Sequence, residues 1–176
     1  MTAPAALDAR RILDARARLL AEPPADAAVS GGSVELLMFD RAGSGYAVAA
    51  GSVVEVLPLA EPTPVPSTPP AVAGVVNHRG RIVAIVDLAA LLPAASPEPA
   101  GAGFAVVVAA GDAVFGLRAD AVSGVHVLDG SDLLPADRLG DQHDGVVCGL
   151  TAGLAAILDL DALTRDPRVR ADDEVE

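Results

Sequence analysis

The stretch that decides the fold is residues 74–88, which read Gly74-Val75-Val76-Asn77-His78-Arg79-Gly80-Arg81-Ile82-Val83-Ala84-Ile85-Val86-Asp87-Leu88. Two β-branched runs flank a polar turn, and this pattern is typical of a β-hairpin. Gly80 permits a backbone shape that bulkier residues cannot adopt, and Asn77 can bond its own turn. We therefore predict two buried strands, Val72–Val76 and Arg81–Leu88, joined by this turn.

Strand patterns continue upstream of the hairpin. Val34–Phe39 and Tyr46–Val48 flank the turn residues Gly43-Ser44-Gly45, and another apolar run covers Val53–Leu57. Six prolines lie between Pro58 and Pro70, which excludes a central strand there and predicts an extended connector. No helical pattern long enough for a crossover lies between consecutive strands, so we predict an all-β fold.

The second half of the chain repeats the strand order of the first. At an offset of 69 residues Val53 and Val56 match Val122 and Val125, and at an offset of 72 residues Ile85–Leu88 matches Ile157–Leu160. We infer an internal duplication. Each half offers about five short strands, enough to curl into a small barrel. The predicted lobes cover residues 33–92 and 104–164, with a linker rich in Pro, Ala and Gly at 93–103.

The two ends differ from the middle of the chain. Residues 6–22 have helical spacing at Ala9, Leu13, Ala17 and Leu20, and Pro23-Pro24 ends this pattern. We therefore assign residues 1–32 to an N-terminal helix and linker, residues 33–164 to the main domain, and residues 165–176 to an acidic C-terminal tail. The helix is interpreted as an appended tail packed on the domain, with partner docking as the alternative.

Composition narrows the possible functions. The chain has 12 basic residues, all of them arginine, against 24 acidic ones, and its formal net charge is -12. Nucleic-acid binding is disfavoured, because neutralising phosphates needs a concentrated basic surface. No apolar stretch is long enough to insert into a bilayer. One cysteine and no leader-like segment predict a cytosolic protein.

Signals of catalysis are weak. His78, His126 and His143 are far apart in sequence and none has metal-ligand spacing with Cys148, so no metal and no cofactor is predicted. Cys148 lies in an apolar strand, where a buried and inert thiol is expected. The acidic loop from Asp129 to Asp144 does not fit a calcium loop and is interpreted as solvated. We predict that the protein is not an enzyme.

The hairpin segment resembles the CheW family of chemotaxis coupling proteins. That family carries a Gly-Val-aliphatic-Asn-Leu-Arg-Gly turn, an Ile-Val-Pro strand and a closing aliphatic-Asp-Leu. The sequence departs from this pattern at His78, where leucine is usual, and at Ala84, where proline is usual. Further segments resemble the family in the same order, and the resemblance spans about residues 33–164. These segments are Tyr46–Val48, Val53–Val56, Val114–Leu117 and Ala119–Val125.

The resemblance implies a fold and a function. The fold would be two pseudo-symmetric, five-stranded, SH3-like barrels. The function would be that of a cytoplasmic, non-enzymatic adaptor that binds the cytoplasmic tip of a chemoreceptor and the regulatory domain of the CheA histidine kinase. Such an adaptor holds receptor and kinase in one geometry, so that the state of the receptor biases the kinase.

The resemblance also implies site residues. Arg79 would form part of a receptor-binding surface and be held by an ion pair with Glu55; the alternative is an arginine that only pins its turn. Val53 and Val56 would contribute to an apolar receptor-binding groove, or else belong to the barrel core. Asn77 and Gly80 are assigned to the structural turn.

Two rival functions stay open at this level. One is an adaptor of the same fold in a divergent pathway that does not control motility. The other is a small hydrolase or ligand-binding barrel that uses Asp87, Asp159, His126 or His143. The two aspartates close matching strands in both halves, which favours a structural role for them.

Overall fold

The structure is a computed structural model that describes residues 32–92, 103–135 and 145–170. These residues form eleven strands and one short helix. Single 3-10 turns cover Ala50–Ser52, Leu88–Ala90 and Gly130–Asp132. The strands are β1 (Ser33–Arg41), β2 (Ser44–Ala49), β3 (Val53–Leu59), β4 (Val72–His78), β5 (Arg81–Val86), β6 (Gly103–Ala110), β7 (Ala113–Ala119), β8 (Ala121–Asp129), β9 (Leu133–Pro135), β10 (Val147–Thr151) and β11 (Ala156–Leu158), and the helix is α1 (Leu160–Arg165).

The strands form two sheets, which confirms the predicted two-lobed, all-β fold. The six-stranded sheet has the order β8-β1-β2-β11-β10-β9, and the five-stranded sheet has the order β3-β6-β7-β5-β4. Each sheet contains one parallel pair, β11 with β2 and β5 with β7. The remaining neighbours within the two sheets are antiparallel.

The predicted division into contiguous lobes, 33–92 and 104–164, is wrong. The β1–β2 hairpin belongs to the first half of the sequence but pairs with β8 and β11 of the second half. The β6–β7 hairpin of the second half pairs in the same way with β3 and β5 of the first. Each half therefore gives its first hairpin to the other sheet, and each sheet contains strands from both repeats.

The exchange preserves the contacts that a barrel of one half would make. The antiparallel pair β3–β6 corresponds to β8–β1, and the parallel pair β5–β7 corresponds to β11–β2. Because the two repeats are similar, a hairpin finds equivalent partners in either half. The matching pairs support the internal duplication.

The main hydrophobic core contains residues from both sheets. Phe39 and Tyr46 of the six-stranded sheet stack with ring centroids 5.8 Å apart. Val106 and Leu117 of the five-stranded sheet are fully buried in the same cluster. Side chains of this size each contribute about 1.5–3 kcal/mol when fully buried. A smaller core lies within the five-stranded sheet and consists of Leu59, Val83, Ile85 and Ala105.

The two matching aspartates begin helical turns. Asp87 accepts a hydrogen bond from the amide of Ala89, and Asp159 accepts one from the amide of Ala162. Asp159 is thus the N-cap of α1, which our sequence prediction did not include. Carboxylates stabilise this position because they accept from backbone N–H groups left free at the helix start. These bonds agree with the structural role favoured for both residues.

The first residues of the predicted C-terminal tail, 165–176, pack on the domain. Asp166 is buried, and Arg168 donates from Nη1 to the carbonyl oxygen of Leu91 at 3.2 Å. Val169 packs against the main core. The chain therefore stays in contact with the domain beyond α1. The predicted helix over residues 6–22 and residues 171–176 lie outside the described residues.

Candidate functional site

The β4–β5 hairpin turns through two residues, Arg79 and Gly80. Both have positive φ, 52° and 80°, and His78 pairs directly with Arg81. Two positive φ values in a two-residue loop are typical of a type I′ turn, which matches the twist of the flanking strands. Asn77 fixes the turn, because its Oδ1 accepts a hydrogen bond from the amide of Gly80 at 2.9 Å. The turn therefore holds Arg79 at a defined position.

The carboxylate of Glu55, on β3, binds two side chains of this hairpin. Nη2 of Arg79 donates to Glu55 Oε1 at 2.9 Å, which is the ion pair that the family resemblance implies. Nε2 of His78 lies 2.9 Å from Glu55 Oε2. An ionised carboxylate only accepts hydrogen bonds, so the imidazole is the donor. We refer to Glu55, His78 and Arg79 as the carboxylate cluster.

The carboxylate cluster lies at the end of the smaller core. Side chains alternate between the two faces of a strand, so Glu55 shares a face with Leu57 and His78 shares one with Val76. Leu57 and Val76 both pack against the smaller core. Exposure increases outward through the cluster, from 25% for the His78 side chain and 32% for Glu55 to 76% for Arg79. The guanidinium is therefore the part of the cluster most accessible to a partner.

Val53 and Val56 are partly buried and pack against the main core. A regular strand would place residues three apart on opposite faces, but β3 has a bulge between Val53 and Glu55. The bulge inserts an extra residue, so that both valines lie on the core side. Val54 is left 60% exposed. The two valines contribute to the barrel core, and part of each surface stays open to solvent.

A second charged cluster, which the sequence analysis missed, connects the two sheets. Arg41 at the end of β1 is only 6% exposed. It donates from Nε and Nη2 to Asp87 at 2.8 and 2.5 Å, and from Nη1 to Asp120 at 2.9 Å. Asp120 also accepts from the amide of Ala42 at 2.7 Å. Arg41 thus joins β1 of one sheet to the end of β5 in the other.

This second cluster changes the proton affinities of its members. Burial acts to raise the pKa of Asp87, but hydrogen bonds from Arg41 and Ala89 and the charge of Arg41 outweigh it, and the pKa lies below its ordinary value. The hydrogen bond to Asp87 raises the pKa of Arg41. Both groups are therefore ionised at neutral pH. An isolated arginine after an apolar strand carries no pattern that identifies its partners, and Arg41 has no arginine at the matching position of the second half.

The residues of the alternative enzyme function do not come together in the described part of the chain. Asp87 is engaged by Arg41, and Asp159 caps α1. His126 is exposed on β8, and His143 lies outside the described residues. Within residues 32–92, 103–135 and 145–170, no group of three or more His, Cys, Asp or Glu side chains could hold a metal ion.

Cys148 differs from its prediction because it is exposed rather than buried. Its Sγ lies 3.5 Å from the carbonyl oxygen of Ile157 and donates to it. Partial desolvation and the negative charge of Asp159 raise the pKa of the thiol. The group therefore stays protonated at neutral pH, which disfavours a nucleophilic role.

Among the described residues, no helix has the length and apolar composition needed to cross a membrane.

These features define a class of protein: a two-lobed, all-β domain with an exposed arginine held by an ion pair. The chain belongs to the CheW family, because the sequence model of the CheW-like domain family matches residues 35–168.

Known proteins resemble the chain over between half and four fifths of its length. A chemotaxis protein CheW from Rhizobium meliloti (strain 1021) is 29% identical over 66% of this chain and 75% of the relative. Protein FrzA from Myxococcus xanthus is 33% identical over 51% of this chain and 56% of its own length. The crystal structure of the scaffolding protein TtCheW from Thermoanaerobacter tengcongensis has a TM-score of 0.68 at 22% identity, covering 78% of this chain and 96% of TtCheW. That likeness shows the shared fold.

Proposed function

We propose that the protein is a cytoplasmic, non-enzymatic adaptor that couples chemoreceptors to a CheA histidine kinase. The single observation that carries the proposal is the Glu55–Arg79 ion pair on a CheW-like fold. In this proposal the receptor tip binds to a surface formed by Val53, Glu55, Val56 and Arg79. The relatives named for chemotaxis support the same class of function.

The geometry of Arg79 suits a docking role. Its side chain is 76% exposed, and its planar guanidinium offers five donors in a rigid fork. The ion pair with Glu55 and the two-residue turn restrict its orientation before a partner arrives. A preorganised side chain loses less entropy on binding than a free one. Arg79 can therefore contribute more binding energy than an unrestrained surface arginine.

The apolar part of the proposed surface is on the same strand as Glu55. Val54 is exposed, and Val53 and Val56 keep part of their surfaces open. Apolar contacts near an arginine are typical of protein interfaces, where a few residues dominate the binding energy. This arrangement favours a helical partner that presents both apolar and acidic side chains.

The adaptor acts by geometry rather than by chemistry. It binds receptor and kinase at the same time and holds them in one relative orientation. A change in receptor conformation then alters the contacts that the kinase makes, and the populations of its active and inactive states shift accordingly.

Replacing Arg79 by alanine is expected to weaken binding of a receptor signalling hairpin by at least about tenfold. An arginine at the centre of an interface contributes about 2 kcal/mol or more, and a loss of 1.4 kcal/mol is tenfold in the dissociation constant. Isothermal titration calorimetry with the purified hairpin measures the change.

The matched control is Arg165→Ala, which removes an exposed arginine at the end of α1. Binding by this variant should equal that of the unmodified chain. Equal loss in Arg79→Ala and Arg165→Ala would show that net charge, and not the docking surface, determines affinity. Failure of the unmodified chain to bind both the hairpin and the kinase regulatory domain would refute the adaptor function.

A further inference from the structure

The carboxylate cluster contains a group whose charge depends on pH. Glu55 uses one oxygen for Arg79 and the other for His78, both at 2.9 Å. Arg79 carries a permanent charge, whereas histidine changes its charge between pH 5 and 8. When the imidazole is neutral it gives Glu55 a hydrogen bond only. When it is protonated it gives the same carboxylate a second ion pair.

The charged groups around His78 come from three elements. Glu55 faces it from β3, Arg79 follows it in the turn, and Arg81 lies directly opposite on β5. With a neutral imidazole the three charged groups sum to +1. Protonation of His78 raises the sum to +2. This local positive charge contrasts with the chain as a whole, whose formal net charge is -12.

We propose that His78 makes the docking surface proton-sensitive, so that the surface binds an acidic side chain of the receptor hairpin more tightly as pH falls. The proposal rests on the adaptor function and adds a residue that sets the strength of receptor attachment. The partner is acidic because the docking surface is locally positive on an otherwise acidic chain, and complementary charge favours a carboxylate there.

The test is the affinity of the full chain for a chemoreceptor cytoplasmic hairpin, measured by calorimetry at pH 5.5, 6.5, 7.5 and 8.5 and constant ionic strength. The dissociation constant is expected to fall about tenfold from pH 8.5 to pH 5.5, because a second positive charge beside Arg79 attracts the acidic side chain of the hairpin. In His78→Gln the amide keeps a donor for Glu55 but does not titrate. This variant should show no such fall.

The matched control is His126→Gln, which removes an exposed histidine on β8 and should keep the pH dependence of the unmodified chain. Binding that is independent of pH, weaker at low pH, or equally pH-dependent in His78→Gln would overturn the role of His78 while leaving the adaptor function in place. An absence of hairpin binding at every pH would overturn both.

Discussion

Replacing Arg41 by leucine is expected to lower the free energy of unfolding by about 3–5 kcal/mol, the cost of breaking a buried ion pair by removing one partner. The Arg41 side chain is 7% exposed and that of Asp87 is 15% exposed, so water has little access to the lost bonds. Asp87 keeps its charge and loses its main partner. Urea unfolding followed by circular dichroism at pH 7 measures the loss.

The effect of Arg41 should depend on pH in a defined direction. The folded-state pKa of Asp87 lies below its ordinary value, so its contribution is present above the unfolded value of about 3.9. The contribution is lost as the pH falls through the folded pKa. The unmodified protein should therefore lose stability in acid, and Arg41→Leu should lose less.

Two variants test the cause of the Arg41 effect. Asp87→Asn in the Arg41→Leu background removes the unpaired charge and should recover part of the lost stability. Arg165→Ala removes an exposed arginine and should change the free energy of unfolding by less than about 0.5 kcal/mol. A loss below about 1 kcal/mol in Arg41→Leu would contradict a stabilising connection between the sheets.

Replacing Gly74 by alanine is expected to destabilise the protein by about 2–4 kcal/mol. Gly74 has φ +144°, a conformation that costs other residues about 1–3 kcal/mol. An added Cβ would lie 2.8 Å from the carbonyl carbon of Thr63 and closer still to its oxygen. Thr63 cannot move away without losing two hydrogen bonds to Val75, each 2.9 Å long. Thermal and urea unfolding measure the loss.

Gly51→Ala is the control for Gly74→Ala. Gly51 lies in the 3-10 turn before β3, and an added Cβ there would meet no atom within 4 Å. The substitution should be neutral or stabilise the fold by up to about 1 kcal/mol, because alanine reduces the entropy of the unfolded chain. Similar losses in both variants would show that the close contact with Thr63 is not the cause.

Much of the local structure follows from sequence pattern. The β-branched runs that flank Asn77–Gly80 predict the β4–β5 hairpin, and the observed strands, Val72–His78 and Arg81–Val86, lie within two residues of the predicted ends. Turn chemistry identifies the hairpin position, because an asparagine side chain can hydrogen-bond the backbone of its turn and glycine adopts positive φ without steric cost. The repeat of the Ile-aliphatic-Asp-Leu ending predicts matching roles for Asp87 and Asp159, and both accept hydrogen bonds at the start of helical turns.

The partners of the strands could not be predicted in the same way. The alternation of apolar and polar residues predicts which face of a strand is buried, but it does not predict which strand lies beside it. In a duplicated chain the first hairpin of each half fits either half equally well, so the sequence pattern is the same for exchanged and contiguous lobes. Tertiary packing therefore decides which sheet each hairpin joins.

The charged clusters show a similar limit. The Glu55–Arg79 pair was expected from family resemblance, whereas the contact of His78 with the same carboxylate was not. His78 differs from the family pattern, and strand alternation places it on the face of Val76. Its distance to Glu55 depends on how β3 and β4 approach one another, which no local pattern encodes. Arg41 meets Asp87 and Asp120 across 46 and 79 residues of sequence.

The most direct test of the adaptor function is whether one chain binds both partners at once. Size-exclusion chromatography with light scattering, on a mixture of the chain, a receptor signalling hairpin and the CheA regulatory domain, measures the composition of the complex. We predict a single species that contains all three components. Mutually exclusive binding of the hairpin and the kinase domain, or binding of neither, would contradict the account.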